Sequence, residues 1–455
     1  MELGKSSTGR WNIALAGVSI QFLLGTVYAW SVFKTPLLGM TGWTEVDLGF
    51  PMTLAQQVTF TFSLTIFFLG FSAALGGRLV DKAGTRKVAT VAAVLFGLGT
   101  MLAGLAVSIK SMWLLWLGYG VIAGIGNGLG YVTPVAVLLR WFPDKKGMIT
   151  GMAVMGFGLG AALMGQVAPA LNKFWGVSQT FYVCGGLFLL GIAAAAQKLI
   201  NPPADYSIAP KGAAPAKAVV SLNLPQARRR YQFYVLWGIL LLNVMAGIAI
   251  ISNLSPMAER LLKDSIKLGS LPPGTDIALF AGTIVFATQL FNGVGRMFWG
   301  TLSEKIGRKT AFMLIFATQV PLFFLLPHLS NVWLFTAAAC WIMLCYGGGF
   351  GTMPSFAAET FGPKNIGSIY GMILFAWGVA GGIGPTMMEW IKTSTNSFDV
   401  ALYAGGGVLA LGFLLTLAYR KPLLQEVKQA SVSEQELRPA SIASRPQSDS
   451  PVGRG

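Results

Sequence analysis

The sequence carries little charge for its length. Only 11% of its 455 residues are Asp, Glu, Lys or Arg, and 54% are hydrophobic. A typical soluble domain has about 25% charged residues, so this composition indicates a protein of the lipid bilayer. The 33 Lys and Arg exceed the 17 Asp and Glu, but the excess lies in short loops and in the C-terminal tail. We interpret it as a membrane-topology signal and not as a nucleic-acid-binding surface.

Residues that carry catalytic or metal chemistry are also scarce. There is one histidine, His328, at the end of an apolar run, and the three cysteines all fall in apolar runs without metal-ligand or disulfide spacing. No G-x-x-x-x-G-K-[ST] phosphate-binding loop is present. The sequence therefore predicts no metal, no cofactor and no enzymatic activity, and an intramembrane enzyme would need a His/Asp/Glu cluster that the apolar runs lack.

Twelve apolar runs are long enough to cross a membrane, which takes about 20 residues each. Runs of this length are expected to be helices, because backbone polar groups in lipid must bond within their own segment. The predicted spans are residues 11–34, 55–76, 88–108, 112–139, 148–171, 178–199, 231–254, 277–300, 311–328, 331–358, 366–391 and 398–419. The first run exceeds the length of a signal-peptide core and no small-residue cleavage site follows it, so we interpret it as span one.

The distribution of basic residues predicts the orientation of these spans. With twelve spans, 25 of the 33 Lys and Arg fall on the side that holds both termini, and seven fall on the other side. The positive-inside rule places that richer side in the cytoplasm. We therefore expect a multi-pass protein of the plasma (inner) membrane with cytoplasmic N- and C-termini.

An internal repeat divides the chain into two halves. GRLVDKAGTRK (77–87) follows span two and GTLSEKIGRK (300–309) follows span eight, at an offset of 223 residues, and Gly151-Met152 and Gly371-Met372 lie 220 apart. Two halves of six spans in the same orientation explain these offsets and are typical of 6+6 transporters, whose binding site lies between the halves at mid-membrane. We predict a bundle over 1–199, a linker rich in Pro and Ala over 200–230, a second bundle over 231–420 and a disordered tail over 421–455.

The two repeated loops form a matched pair of tight turns, in which glycine permits the chain reversal and the charged residues cap or pair with helix ends. Their signature residues are Gly77, Asp81, Gly84 and Arg86 in the first copy and Gly300, Glu304, Gly307 and Arg308 in the second. With these loops the chain resembles the major facilitator superfamily over residues 10–420. That resemblance implies an all-α membrane fold of two six-helix bundles and alternating access around a central site.

Arg296 is the charge that falls most clearly inside a span. Placing a cation in hydrocarbon costs at least about 2.5–3.5 kcal/mol on insertion scales, and such residues generally mark functional sites. A guanidinium offers a planar fork that matches a carboxylate. The alternative is a structural cation satisfied by backbone carbonyls or by snorkelling to the interface.

A narrower resemblance rests on GTVYAWSVFKTPL (25–37), RWFPDKKGMITGMAVMGFGLG (140–160) and FNGVGRMFWGTLSEKIGR (291–308). These segments look like the oxalate/formate antiporter branch, which is similar to the monocarboxylate transporters. The resemblance implies that Arg296 grips a substrate carboxylate. Trp377 stands where the antiporter has a second cation, and a single cation favours a monocarboxylate over a dianion.

The same resemblance points to further candidates for the site. Asn292 stands where animal monocarboxylate transporters place an aspartate of proton coupling, and it does not titrate. Proton symport would then need another acid, such as Glu359 or Glu389, for which a helix cap or a surface ion pair is the simpler interpretation. The other predicted wall residues are Tyr28, Gln57, Asn127, Tyr131, Phe157, Tyr346 and Phe350, and for each of them plain packing is the alternative.

The sequence thus predicts a secondary transporter of small monocarboxylates such as lactate, pyruvate or formate. An oxalate/formate-type carboxylate antiporter is the alternative, and a membrane ligand sensor is a remote third. A co-transported proton, an exchanged anion and facilitated diffusion all remain open at this stage.

Overall fold

The computed structural model describes residues 7–44, 46, 49, 51–142, 146–203, 206, 221–362 and 365–421. Within that part of the chain, twelve helices are long and apolar enough to cross a membrane, which confirms the predicted number of spans. The spans, in chain order, are formed by Ser7–Gly25 with Thr26–Ala29 and Ser31–Leu38, Leu54–Ala83, Thr85–Ser108, Met112–Leu115 with Trp116–Ala123 and Gly124–Trp141, Lys146–Trp175, Val177–Ala196, Tyr231–Lys267, Ile277–Ile306, Arg308–Leu325, Val332–Phe361, Ile366–Thr395 and Asp399–Ala418.

Span seven is longer than the sequence predicts. The apolar run suggests an end near residue 254, but the helix Tyr231–Lys267 continues for 37 residues. At 1.5 Å per residue such a helix is about 55 Å long, well beyond the roughly 30 Å hydrocarbon core. Its last turns, which hold Glu259 and Lys263, therefore extend past the apolar layer, and hydropathy alone does not reveal them.

The signature loops form the predicted tight turns and define one side of the membrane. Gly84 and Gly307 adopt φ values of +87° and +88°, in the left-handed region that favours glycine. We call the side that carries residues 77–87 and 300–309 the loop side, and the opposite one the far side. Spans one and eleven end on the far side, and span eight begins there.

The two halves of the chain meet along two related helix crossings. A Cβ added to Gly70 of span two would collide with Gly378 of span eleven, and one added to Gly158 of span five would lie 2.6 Å from the Cα of Gly293 in span eight. Gly70 and Gly293 lie 223 residues apart and Gly158 and Gly378 lie 220 apart, which are the offsets of the sequence repeat. The two crossings are therefore counterparts, and glycine is what permits such close backbone approach in a membrane.

Little of the predicted linker and tail belongs to the described residues. The end of the linker forms a five-residue helix, Leu224–Arg228, whose N-terminus is capped by Asn223. The backbone N–H of Leu222 donates to the carbonyl of Phe361, at 2.8 Å, so this part of the linker packs on the loop-side end of span ten. Residues 207–220 and the predicted tail beyond Lys421 lie outside the described residues.

Candidate functional site

Arg296 lies two-thirds of the way along span eight and is almost completely buried. Only 1% of its surface is exposed. Among the described residues, no carboxylate forms an ion pair with it and no carbonyl accepts from its three side-chain nitrogens. The hydroxyl of Tyr131 lies close enough to interact with the guanidinium, but without the geometry of a full hydrogen bond. A buried charge without a partner carries a desolvation penalty on the order of several kcal/mol. An anion bound beside the guanidinium would offset that penalty.

Glycines of span ten bring the backbone of span eight against its neighbour. A Cβ added to Gly347 would collide with the carbonyl oxygen of Asn292, and one added to Gly351 would collide with that of Arg296. These glycines are four residues apart and so share one face of their helix. The YGGGFG run of the sequence thus fixes where Arg296 enters the interior.

Two phenyl rings flank the guanidinium of Arg296. Its central carbon lies 5.0 Å from the ring centroid of Phe350 and 5.6 Å from that of Phe157. Both distances are within the range of cation–π attraction, which strengthens when water is excluded. Phe157 belongs to span five and Phe350 to span ten, so both halves of the protein contact the charge.

Trp377 of span eleven lies at the centre of the aromatic cluster. Its ring lies 5.0 Å from Phe350, 5.0 Å from Tyr131, 6.0 Å from Phe157 and 6.2 Å from Tyr28. All of these contacts are edge-to-face, the geometry that aromatic pairs prefer. The structure therefore brings these predicted wall residues together around Arg296.

Tyr28 and Tyr346 close the cluster across the two halves. Their hydroxyl oxygens are 2.6 Å apart, and either one is able to donate. Arg296 also interacts electrostatically with both tyrosines, and with Tyr131 and Tyr370. Tyr370 was not among the predicted residues, although it lies two turns before Trp377 on span eleven, a spacing that points to the same helix face.

The predicted polar residues divide into two groups. The Nδ2 of Asn292 donates to the Oε1 of Gln289 at 2.9 Å, and that of Asn127 donates to the carbonyl of Leu24 at 2.9 Å. Their Oδ1 atoms are buried and accept no hydrogen bond among the described residues. Asn292 is one turn before Arg296 on the same helix face, as predicted, whereas Asn127 serves mainly to join spans four and one.

The side chain of Gln57 makes its hydrogen bonds to residues other than Arg296. Its Oε1 accepts from the N–H of Val46 at 2.9 Å, and its Nε2 donates to the carbonyls of Val46 and Met52 at 3.3 and 3.2 Å. The side chain thus fixes the far-side segment that leads into span two. No described contact brings it to the aromatic cluster, so a role in binding remains only a prediction.

A second buried charge cluster lies between the halves on the far side. The Nζ of Lys34 donates to the Oε2 of Glu389 at 2.5 Å and to the Oδ1 of Asn253 at 2.6 Å. The Oε1 of Glu389 meets Lys392 at 3.1 Å. Both Lys34 and Glu389 are 0% exposed. Glu389 is therefore neither a helix cap nor part of a surface ion pair, and Lys34, the last residue of predicted span one, is a buried charge that was not among the predicted site residues.

Glu359 has the surface role expected for it. It is half-exposed and accepts from Arg308 at 2.9 Å. Arg308 also donates to the carbonyl of Gly300 at 3.1 Å and lies 4.0 Å from Glu304, so the second signature loop is tied to span ten. In the first loop, Gly77 and Arg86 are exposed, and the side chain of Asp81 lies outside the described residues.

No metal site accompanies these clusters in the part of the chain that the structure describes. No group of three or more His, Cys, Asp or Glu side chains there is placed to hold a metal ion. The groups around Arg296 are one cation and an enclosure of aromatic rings, which would allow an anion to bind there.

Known proteins similar to this chain include membrane transporters. The sequence pattern of the Major Facilitator Superfamily matches residues 15–385 and 268–448. The chain is 27% identical to the uncharacterized transporter YhjX of Escherichia coli, over 81% of this chain and 85% of YhjX. It is also 27% identical to the oxalate:formate antiporter of Oxalobacter formigenes, over 82% and 84% of the two chains.

Two further similarities concern a carboxylate carrier and the fold. The chain is 27% identical to apicoplast pyruvate carrier 1 of Toxoplasma gondii, over 56% of this chain and 55% of that protein. A solved bacterial homologue of the human lysosomal transporter Spinster superimposes with a TM-score of 0.65 at 14% identity, covering 94% of this chain and 99% of the other. At that identity the similarity supports the fold alone.

Proposed function

The chain belongs to the Major Facilitator Superfamily, and we propose that it carries small monocarboxylates such as lactate, pyruvate or formate across the membrane by alternating access. The observation that carries this proposal is Arg296, a buried cation that has no carboxylate partner among the described residues and only the Tyr131 hydroxyl as a nearby polar contact. An arriving carboxylate would supply the missing acceptors and the missing charge. A bidentate pair between guanidinium and carboxylate is among the strongest polar contacts available in a protein.

Both halves contribute to the proposed site, as alternating access requires. Tyr28, Tyr131 and Phe157 come from the first half, and Arg296, Tyr346, Phe350 and Trp377 from the second. The aromatic rings would exclude water from the bound anion, and this strengthens its attraction to Arg296. The tyrosine hydroxyls are available to donate to a carboxylate oxygen or to a substrate hydroxyl.

One cation in the enclosure favours a substrate with one negative charge. A dianion such as oxalate would leave its second carboxylate desolvated and uncompensated, which is costly. By resemblance to the antiporter branch, Trp377 stands in the position of that branch's second cation, so no second charge would be supplied there. The single cation favours a monocarboxylate carrier over an oxalate/formate-type antiporter, the alternative that similarity to the Oxalobacter formigenes protein supports.

Asn292 limits the ways in which transport could be coupled to an energy source, and three mechanisms are consistent with it. A neutral amide one turn from Arg296 provides no titratable group for a coupled proton. Exchange of two anions, facilitated diffusion, and uptake of the substrate together with its own proton are all compatible with such a site. We further propose that the loop side faces the cytoplasm of a cell bounded by a plasma (inner) membrane, from the excess of Lys and Arg on that side.

A substrate panel tests the proposal directly. The purified protein is reconstituted in liposomes, and uptake of labelled lactate, pyruvate, formate, acetate and oxalate is measured with and without an imposed pH gradient. We expect the monocarboxylates to be carried and oxalate to be carried poorly. Preferred uptake of oxalate would support the antiporter alternative, and transport of no carboxylate would contradict both.

A further inference from the structure

The buried cluster of Lys34 and Glu389 joins the two halves of the protein on the far side. Lys34 belongs to span one, whereas its described partners, Asn253 and Glu389, belong to spans seven and eleven. In a transporter of this family, opening the far side requires the two halves to separate there. Opening must therefore break both bonds that Lys34 makes in the closed arrangement.

The consequences of that separation differ for the two charges. Glu389 keeps Lys392, which lies three residues further along the same helix, 3.1 Å away. The other buried carboxylate nearby, Glu259 of span seven, is bonded to Ser255 of its own helix at 3.0 Å and to Thr35 beside Lys34. Both carboxylates move with the second half, so opening leaves Lys34 as a cation without a carboxylate.

Lys34 is also well placed along the route to Arg296. It lies six residues beyond Tyr28 in the same span, in the helix Ser31–Leu38 that follows the 3-10 turn Thr26–Ala29. The hydroxyl and ring of Tyr28 belong to the aromatic cluster. A carboxylate that enters from the far side and reaches Lys34 would next meet the aromatic cluster around Arg296. In the closed arrangement the ammonium of Lys34 already binds a carboxylate, that of Glu389.

We propose that Lys34 is an outer binding station for the carboxylate of the transported anion, and that Glu389 takes the place of that carboxylate when the far side closes. This inference rests on the proposed function. In it, substrate binds first to Lys34 in the outward-open state and then passes to Arg296. Glu389 returns to Lys34 as the halves close, so the buried ammonium is never left without an anion, a condition that would be costly.

A pure latch is the competing explanation of the same ion pair, and a double-mutant cycle separates the two. We would measure the half-saturation concentration for lactate or pyruvate on the far side, in liposomes of known orientation, for wild type, K34Q, E389Q and K34Q/E389Q. In the E389Q background the ion pair is absent, and of the two bonds that Lys34 makes across the halves only the one to Asn253 remains. The station predicts that adding K34Q there raises the far-side half-saturation concentration about tenfold, as expected for loss of a charged contact.

The latch alone predicts an unchanged or lowered far-side half-saturation concentration when K34Q is added to E389Q, because the one bond left to remove, from Lys34 to Asn253, also holds the halves together. That result would overturn the proposal. If E389Q alone does not fold with an unpaired buried lysine, the double variant, which carries neither charge, is compared with wild type. The station predicts a raised far-side half-saturation concentration, and the latch predicts a lowered one, because opening becomes easier.

The control is another ion pair that joins the two halves on the far side. Lys173 of span five donates to Asp276, before span eight, at 2.6 Å, and this bond lowers the pKa of Asp276. Both side chains are substantially exposed, at 63% and 35%. K173Q therefore removes a surface ion pair and should leave the far-side half-saturation concentration within about twofold of wild type. K34R, which restores the charge, should reverse most of the increase in the far-side half-saturation concentration that K34Q causes.

The outcomes also separate this inference from the proposed function. If R296Q abolishes uptake and the Lys34 variants change the far-side and loop-side half-saturation concentrations equally, only the outer station is wrong. If the wild-type protein carries no monocarboxylate, the proposed function itself is wrong. The expected result is Arg296-dependent uptake, with the effect of Lys34 confined to the far side.

Discussion

Arg296 and Trp377 lie against the same two phenyl rings, those of Phe350 and Phe157, although they belong to spans eight and eleven. The cation and the indole therefore face one small aromatic enclosure. A second cation at position 377 would therefore lie in the same enclosure as Arg296. For this reason the number of cations in the enclosure should determine whether a monoanion or a dianion is preferred.

Replacing Trp377 with lysine should shift the preference toward dianions. The new ammonium would supply the second charge that oxalate lacks in wild type. We expect the ratio of oxalate uptake to lactate uptake to rise by about tenfold or more, the factor that one charged contact is able to provide. Competition of unlabelled acids against labelled substrate measures this ratio.

W377F is the matched control for that substitution, because it removes the indole without adding charge. It should enlarge the enclosure and leave the ratio of oxalate to lactate uptake close to the wild-type value. An unchanged ratio in W377K, in a protein that still carries lactate, would show that the number of cations does not set the preference.

Adding a methyl group at Gly351 should disturb the site through its backbone. The new Cβ would collide with the carbonyl oxygen of Arg296, a backbone atom that is not free to rotate away. Overpacking of this kind typically costs about 1–3 kcal/mol. We expect G351A to lower the midpoint of thermal unfolding and to weaken substrate binding, both measured on purified protein.

Gly407 of span twelve provides the comparison, since a Cβ added there meets no atom within 4 Å. G407A should leave both the thermal midpoint and the binding affinity near wild type. Equal behaviour of the two variants would mean that the close approach of spans eight and ten does not position Arg296.

Much of the fold could be predicted from the sequence because long apolar runs and a two-copy motif are strong signals. The twelve spans and the glycines at the signature turns follow from local composition, and Arg296 stands out because it is a charge in an apolar run. The aromatic residues around it could be predicted only with the help of a family resemblance. Their rings come from five different spans, and no local pattern relates them.

The rest of the site depends on contacts between distant parts of the chain. Lys34 and Glu389 are 355 residues apart, and each lies near the end of its apolar run, where a solvated charge is the ordinary interpretation. Gln57 has a polar side chain of the kind found in binding sites. Its amide instead bonds to a preceding loop whose path the sequence does not reveal. In both cases the partner decides the role, and the partner is not a sequence neighbour.

The central claim is that Arg296 binds the carboxylate of the substrate. The most direct test is the uptake of labelled lactate or pyruvate by R296Q in liposomes, with R296K beside it and with the thermal stability of both variants measured in detergent. R296Q removes the charge, and R296K keeps a point charge without the planar fork. We predict a folded R296Q with uptake reduced at least about a hundredfold, near background, and an R296K with partial activity. Undiminished uptake by a folded R296Q would contradict the account.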